Sequence, residues 1–289
     1  LERQYCIEVR KVDPRDAVIN LLGSSRGGFQ LLEPYLRTTS RPKLLEIGSG
    51  YGLGLCYLLK IGLDVIGVEP GTTTGFTGRF DKARELLELN ALTPVGSHLL
   101  RSEGEALPFR DNSFDIVFSV AVLEHVHDVH QCMREALRVA KPGGMVIANV
   151  PNYNSFYEGH YNIFWLPYVL SSKKLARWYV RTVFGRSSYF IDELNFTTPG
   201  LFRKLGRNAP ECSETKIYNL LQAPFHRISA LHYSLSLSLG SGSRGKSLKR
   251  LWLKSLLKRG VLLGTGLTSH LLVWVGWSPV FNVVCRKRA

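Results

Sequence analysis

Glu46, Gly48, Gly50 and Gly52 fall at alternate positions in the stretch LLEIGSGYG, Leu44 to Gly52, with Ser49 among the glycines. An acid on a short apolar strand, followed by bare backbone and then by a helical pattern (Leu55, Leu58, Leu59), brings a ligand against amide N–H groups and a helix N-terminus. The next apolar stretch, Asp64 to Val68, ends in Glu69 and Pro70, and a carboxylate there can accept both hydroxyls of a ribose. A dinucleotide fold needs Gly-x-Gly-x-x-Gly, but Leu53 and Leu55 stand where either frame requires its third glycine. The spacing therefore departs from the dinucleotide pattern, while the glycine turn and Glu69 together suit an adenosine. Further along, Glu124-His125 and Glu158-x-His160 pair acids with imidazoles, the groups of general acid–base chemistry. His127 and His130 have the spacing of two ligands on one helix face, but no third ligand accompanies them, so no metal is expected.

The elements that must position these groups alternate. Leu44–Ile47, Asp64–Val68, Phe114–Ser119 and Met145–Asn149 read as buried strands, and the segments after Leu53, near Phe80 to Leu89 and over Val129 to Ala140 read as helices. The last of these ends in the KPGG turn, Lys141 to Gly144. Strand–helix alternation implies crossover connections and a parallel sheet, with the ligand outside the carboxyl ends of the strands. Residues 1–40 read as a helical lead-in closed by Pro42. Thr197 to Leu205 reads as a short helix with a Thr-Thr-Pro start, and Ser213–Leu221 and Val280–Cys285 read as strands.

Glu46-x-Gly48-x-Gly50-x-Gly52 resembles motif I of the class I S-adenosylmethionine-dependent methyltransferases, and Glu103 to Asp128 (LPF, then D-x-SFD, then LEH, then a helix and KPGG) resembles the second half of a type 11-like core. The resemblance covers Lys43 to about Pro151. It implies an α/β, Rossmann-like fold with a mostly parallel seven-stranded sheet, helices on both faces, helical insertions in the C-terminal half, and S-adenosylmethionine as cofactor. By that resemblance Glu46 and the loop Gly48, Ser49, Gly50 and Gly52 face the methionine part, and Glu69 with Pro70 meets the ribose. Glu103 binds the adenine amino group, the Gly104 amide lies near the ring, Glu105 is a further cofactor-binding residue, and Ser119 and Val120 face the methionine end. It also places an antiparallel hairpin at the end of the sheet, with SPVFNVVCRK as its final strand.

One methyltransferase domain over 1–289 follows: a lead-in (1–42), a cofactor-binding core (43–151), an aromatic helical cap (152–195) and sheet completion (196–289) interrupted by a basic insertion (222–277). The cap follows the strand beside the methyl donor and is dense in Tyr153, Phe156, Tyr157, Tyr161, Phe164 and Trp165; within it Glu158 and His160 are the candidates for a general base or an acceptor contact. His125 is expected to cap or pack beside the cofactor.

Charge separates the halves: residues 1–150 carry 17 basic against 18 acidic side chains, residues 151–289 carry 20 against 5, and no acid follows Glu214. A basic half implies an anionic partner. Ser247–Arg259 reads as a basic amphipathic helix with Trp252, and the apolar segment Val261–Trp277 is short for a membrane crossing, so 246–277 is expected to touch an anionic membrane peripherally. Five scattered cysteines with no Cys-x-x-Cys suggest reduced thiols and a cytoplasmic protein, which the basic segment would bring to the inner face of the membrane. The expected reaction is in-line methyl transfer to O or N of a small-molecule, glycan-precursor or lipid-linked acceptor. Nucleic-acid methylation is the rival the charge allows, although no RNA-binding module is recognisable. A non-catalytic cofactor-binding module is the other, and the intact acids and glycines argue against it.

Overall fold

The computed structural model describes residues 29–36, 41–71, 78–161, 163–219 and 280–289. The expected insertion 222–277, with its amphipathic and apolar segments, and most of the lead-in lie outside the described residues. Within them a helix (α1) spans 29–36. The core then runs β1 (Lys43–Ile47), α2 (Leu53–Lys60), β2 (Asp64–Val68), α3 (Arg79–Leu89), β3 (Leu99–Leu100), β4 (Phe114–Val120), α4 (Val129–Val139) and β5 (Ala140–Pro151). A cap follows, made of β6 (Tyr157–Glu158), β7 (Ile163–Phe164), α5 (Lys173–Thr182) and α6 (Tyr189–Glu193). The chain closes with α7 (Pro199–Asn208), β8 (Cys212–Asn219) and β9 (Val280–Lys287).

Seven strands form one sheet in the order β3-β2-β1-β4-β5-β9-β8. The first five are mutually parallel, while β9 runs antiparallel to both β5 and β8, which is the closing hairpin expected from the resemblance. Strand alternation sorts the core into two faces. Leu45, Ile47, Val117 and Val146 pack with α4 and with Phe202 of α7. Leu44, Val65, Ile116, Phe118 and Ile147 pack with α2, α3 and Leu32 of α1. The order reverses between β1 and β4, and in such a sheet the crevice outside the carboxyl ends at that point is where ligands bind.

Three boundaries differ from the sequence reading. The short edge strand β3 has only two residues, too few for a periodic signal. KPGG does not separate helix from strand: β5 begins at Ala140, directly after α4, and the extra residues are absorbed as a register shift, Phe114 facing Ala140 while Ile116 faces Met145. The cap is not wholly helical, since it opens with the β6–β7 hairpin. Trp165, Tyr161, Leu170, Val180 and Ile191 give it a core of its own. Its two ends are tied together where it leaves the sheet, Tyr153 N–H donating to Thr197 O (3.0 Å) and Thr197 Oγ1 to Pro151 O (2.7 Å).

The LPF loop is fastened to α4 by one ion-pair network. Arg138 donates to both oxygens of Glu135 (2.7 Å each), to Asp111 (2.7 Å) and to the carbonyls of Leu107 and Phe109, while Leu107 N–H donates to Glu135 Oε2 (2.9 Å). The Arg138 hydrogen bond holds the Glu135 carboxyl below its ordinary range, against a smaller opposing effect of burial. A depressed carboxyl contributes stability above its unfolded pKa of about 4.3 and loses it as the pH falls through the folded value. Glu135→Gln is therefore expected to destabilise by about 1–2 kcal/mol at pH 7, within the range for hydrogen bonds to charged groups and reduced for partial exposure. The difference from wild type in urea unfolding should shrink below about pH 4; a gap independent of pH would refute the assignment.

Candidate functional site

Past β1 the chain turns in the left-handed region at Gly48 (φ 76°) and Gly52 (φ 74°). Neither position tolerates a side chain: a Cβ on Gly48 would run into Val122, and one on Gly52 would come within 2.9 Å of the Ala83 Cβ of α3. The loop folds back over β2, with the N–H groups of Gly48 and Ser49 both donating to Val68 O (2.9 and 3.0 Å) and Ser49 buried over Gly67. Gly50 N–H then donates to Glu69 Oε2 at 2.8 Å. The acid at the end of β2 and the glycine loop after β1 are thus one unit.

Glu46 and Glu69 are 9 % and 5 % exposed. Burial pushes the Glu46 carboxyl up to about 7, and its Oε2 accepts no hydrogen bond. Burial also raises Glu69, against the Gly50 N–H and the nearby Arg79 guanidinium. A buried acid with an oxygen to spare on one side of the loop, and a loop-bound acid on the other, fit a ligand with an ammonium at one end and a ribose at the other. Pro70 is half-buried just beyond Glu69. Gly104 lies against Ile47 and Cys132, which brings its backbone to the end of β1, while Glu103 beside it is exposed. Ser119, buried, pairs in register with Ile47, and Val120 ends β4 next to it.

Glu105 follows Gly104 and is half-buried. Its Oε1 accepts from the N–H groups of His127 (2.7 Å) and Asp128 (3.2 Å), so the carboxylate braces the start of α4. Sequence reasoning passed over Arg79. It opens α3, its guanidinium 5.3 Å from the Tyr51 ring centroid, and its charge is felt by both Glu69 and His125. A cation in the first turn of a helix, opposing the helix dipole, was the available signal.

The acid–imidazole pairs, 35 residues apart in sequence, converge. His160 Nδ1 lies 2.7 Å from Glu158 Oε1, and His160 Nε2 lies 3.2 Å from His125 Nε2. Glu124 Oε1 is 4.0 Å from His125 Nε2. Glu158 is fully engaged, its oxygens accepting also from Tyr161 N–H (2.7 Å) and Tyr153 O–H (3.2 Å), so it orients His160 rather than meeting an acceptor itself. Burial would raise Glu158, but the His160 charge and these donors hold it below the carboxylate range. Burial pushes Glu124 up to about 7 and depresses His125, which His160 and Arg79 depress further. The turn carrying Glu124 and His125 is clamped by Asn195 at the far end of the cap, whose N–H donates to Glu124 O (2.7 Å) and whose side-chain amide donates to Val126 O (2.6 Å). Val122 of the same turn touches Gly48, so the cluster adjoins the glycine loop. His127 and His130 stand apart, exposed at the start of α4.

Residues 45–148 match a family model described as a methyltransferase domain. An uncharacterised methyltransferase of Mycobacterium leprae is 35% identical over 139 residues, 48% of this chain and 47% of that protein. One from Mycobacterium tuberculosis is 33% identical over 157 residues, 51% of this chain and 55% of that protein. The chain thus spans about half the length of the curated relatives it matches. Among solved structures, phosphoethanolamine N-methyltransferase 2 of Haemonchus contortus, in complex with phosphomonomethylethanolamine and S-adenosylhomocysteine, superposes with a TM-score of 0.56 at 15% identity, over 91% of this chain and 52% of that one. Geranyl diphosphate C-methyltransferase of Streptomyces coelicolor superposes with a TM-score of 0.50 at 12% identity, over 86% and 72%. Residues 45–148 are thus similar to a methyltransferase domain, and the described residues have the Rossmann-like fold seen in class I S-adenosylmethionine-dependent methyltransferases.

Proposed function

We propose that this protein binds S-adenosylmethionine and transfers its methyl group to an oxygen or nitrogen of a lipid-linked or glycan-precursor acceptor that carries negative charge. The observation that carries the cofactor reading is the 2.8 Å bond from Gly50 N–H to Glu69 Oε2, which joins the loop after β1 to the ribose-facing acid after β2. When bound, S-adenosylmethionine supplies a sulfonium methyl group open to in-line displacement. The chain's part is to hold the acceptor about 3 Å from that carbon and aligned with it. His160 is the acceptor-side residue: its Nδ1–H donates to Glu158, which places the ring lone pair on Nε2, and an acceptor O–H or N–H would displace His125 from that nitrogen. Calorimetric titration with S-adenosylmethionine and S-adenosylhomocysteine should give micromolar, one-to-one binding, and folded protein that binds neither would refute the reading.

The exposed face of the cap supports a charged, partly apolar acceptor. Lys173, Lys174, Leu175, Trp178 and Arg181 of α5 are exposed beside Tyr168, Val169, Val183 and Tyr189, and no acid occurs between 168 and 189. Basic and aromatic groups on one face suit the boundary of an anionic bilayer. Among the described residues no helix is long and apolar enough to cross a membrane, so the contact proposed here is peripheral. The protein should float with vesicles containing anionic lipid and not with neutral ones, and flotation unchanged by lipid charge would remove the lipid-surface part.

A further inference from the structure

We propose that Glu124, His125 and His160 form a binding site for one divalent transition-metal ion of the zinc type. A carboxylate oxygen and two imidazole nitrogens lie within 4.8 Å of one another here. Two imidazole nitrogens about 2.0–2.1 Å from a tetrahedral ion sit roughly 3.3 Å apart, and the two Nε2 atoms are 3.2 Å apart. The rings meet nearly edge to face, at 84°, so both nitrogens address the same space. Glu124 Oε1, 4.0 Å from His125 Nε2, needs only a small side-chain rotation to join them. Two imidazoles and one carboxylate, with a position left open, make a donor set that suits zinc and its neighbours.

Three independent features make this a built site. Glu124 is 1% exposed and its Oε2 accepts no hydrogen bond, an unusual state for a buried carboxylate. Glu158 binds His160 Nδ1 from behind at 2.7 Å, the outer carboxylate that commonly fixes a metal-binding imidazole and directs its other nitrogen at the ion. Asn195 clamps the turn bearing Glu124 and His125 from the cap side, so the ligands from the two segments are held in fixed relation. Without the ion, the 3.2 Å approach is a hydrogen bond between the two imidazoles.

The binding site stands on its own geometry, while its role rests on the methyltransferase reading. Beside the glycine loop, a bound ion would take over the His160 lone pair and coordinate the acceptor oxygen or nitrogen, lowering its pKa so that its proton passes to solvent water.

Calorimetric titration of chelator-treated protein with zinc chloride tests the site. One equivalent should bind, with affinity reduced at least 100-fold in His125→Ala and in His160→Ala. Glu158→Gln should weaken binding by about 10–100-fold, as loss of an outer-shell partner does. Replacing the exposed His127 and His130 together should leave it unchanged. Each variant is also titrated with S-adenosylmethionine, so that loss of the fold or of the cofactor site is seen separately from loss of the metal. No zinc binding by protein that binds the cofactor, or binding indifferent to His125→Ala and His160→Ala, would overturn the proposal.

Discussion

Glu69→Ala is expected to weaken binding of S-adenosylmethionine by about 100-fold or more while leaving the protein folded. Two hydrogen bonds from ribose hydroxyls to a carboxylate contribute about 1.5–3 kcal/mol each, and each 1.4 kcal/mol is a factor of about ten. The loss is compounded because Gly50 N–H gives up its acceptor, so the loop that should receive the ligand keeps only the Gly48 and Ser49 bonds to Val68 O. Removing Glu69 also removes a buried carboxylate whose desolvation the fold now sustains, which is why the fold itself should survive. Glu69→Gln should fall between: the amide carbonyl can still accept one hydrogen bond, but without charge. Titration calorimetry on the three proteins, with circular dichroism to confirm folding, checks the order. An alanine variant that binds as tightly as wild type would place the ribose elsewhere.

His160→Ala is expected to lower turnover by about 10²–10⁴-fold, the usual contribution of a positioned acid–base group, with cofactor affinity nearly unchanged. The separation follows from the geometry, since His160 contacts Glu158 and His125 and belongs to the cap, whereas the cofactor loop is built on β1 and β2. Glu158→Gln should cost less. Its carbonyl can still accept from one of the His160 ring and Tyr161 N–H, but its NH₂ is turned towards the other donor. The readout is single-turnover transfer from labelled S-adenosylmethionine once an acceptor is in hand. Equal loss of cofactor affinity and turnover in His160→Ala would mean that the imidazole shapes the cofactor site and does not serve the acceptor.

The cofactor half was legible because its signals are local. Strand, glycine turn and following acid lie within Leu44 to Pro70, and each depends on nearby backbone conformation: left-handed turns at Gly48 and Gly52, and a buried strand ending at Glu69. The parallel sheet also followed from local elements, since strands alternating with helices must be joined by crossovers, whereas the strand order came only with the structure. What misled was local too. KPGG reads as a stop, yet the strand starts before it, because pairing of Ala140 with Phe114 fixes the backbone there more firmly than turn propensity does. Beyond local signals, Glu105 also accepts from the N–H groups of His127 and Asp128, a contact over more than twenty residues.

By itself the sequence determined a cofactor fold and the residue types of the proposed acceptor site: the acids, the glycines and the imidazoles were all visible in it. Which imidazoles act together was decided only by the tertiary structure. His127 and His130 have a suggestive spacing but face solvent, His127 ahead of α4 and His130 in its first turn, whereas His125 and His160 meet because the cap folds back over the end of β4 and Asn195 pins its return to the turn at Glu124. That closure is driven by burial of Trp165, Tyr161 and their neighbours in the cap's own core, a non-local packing effect that no spacing of charged residues encodes.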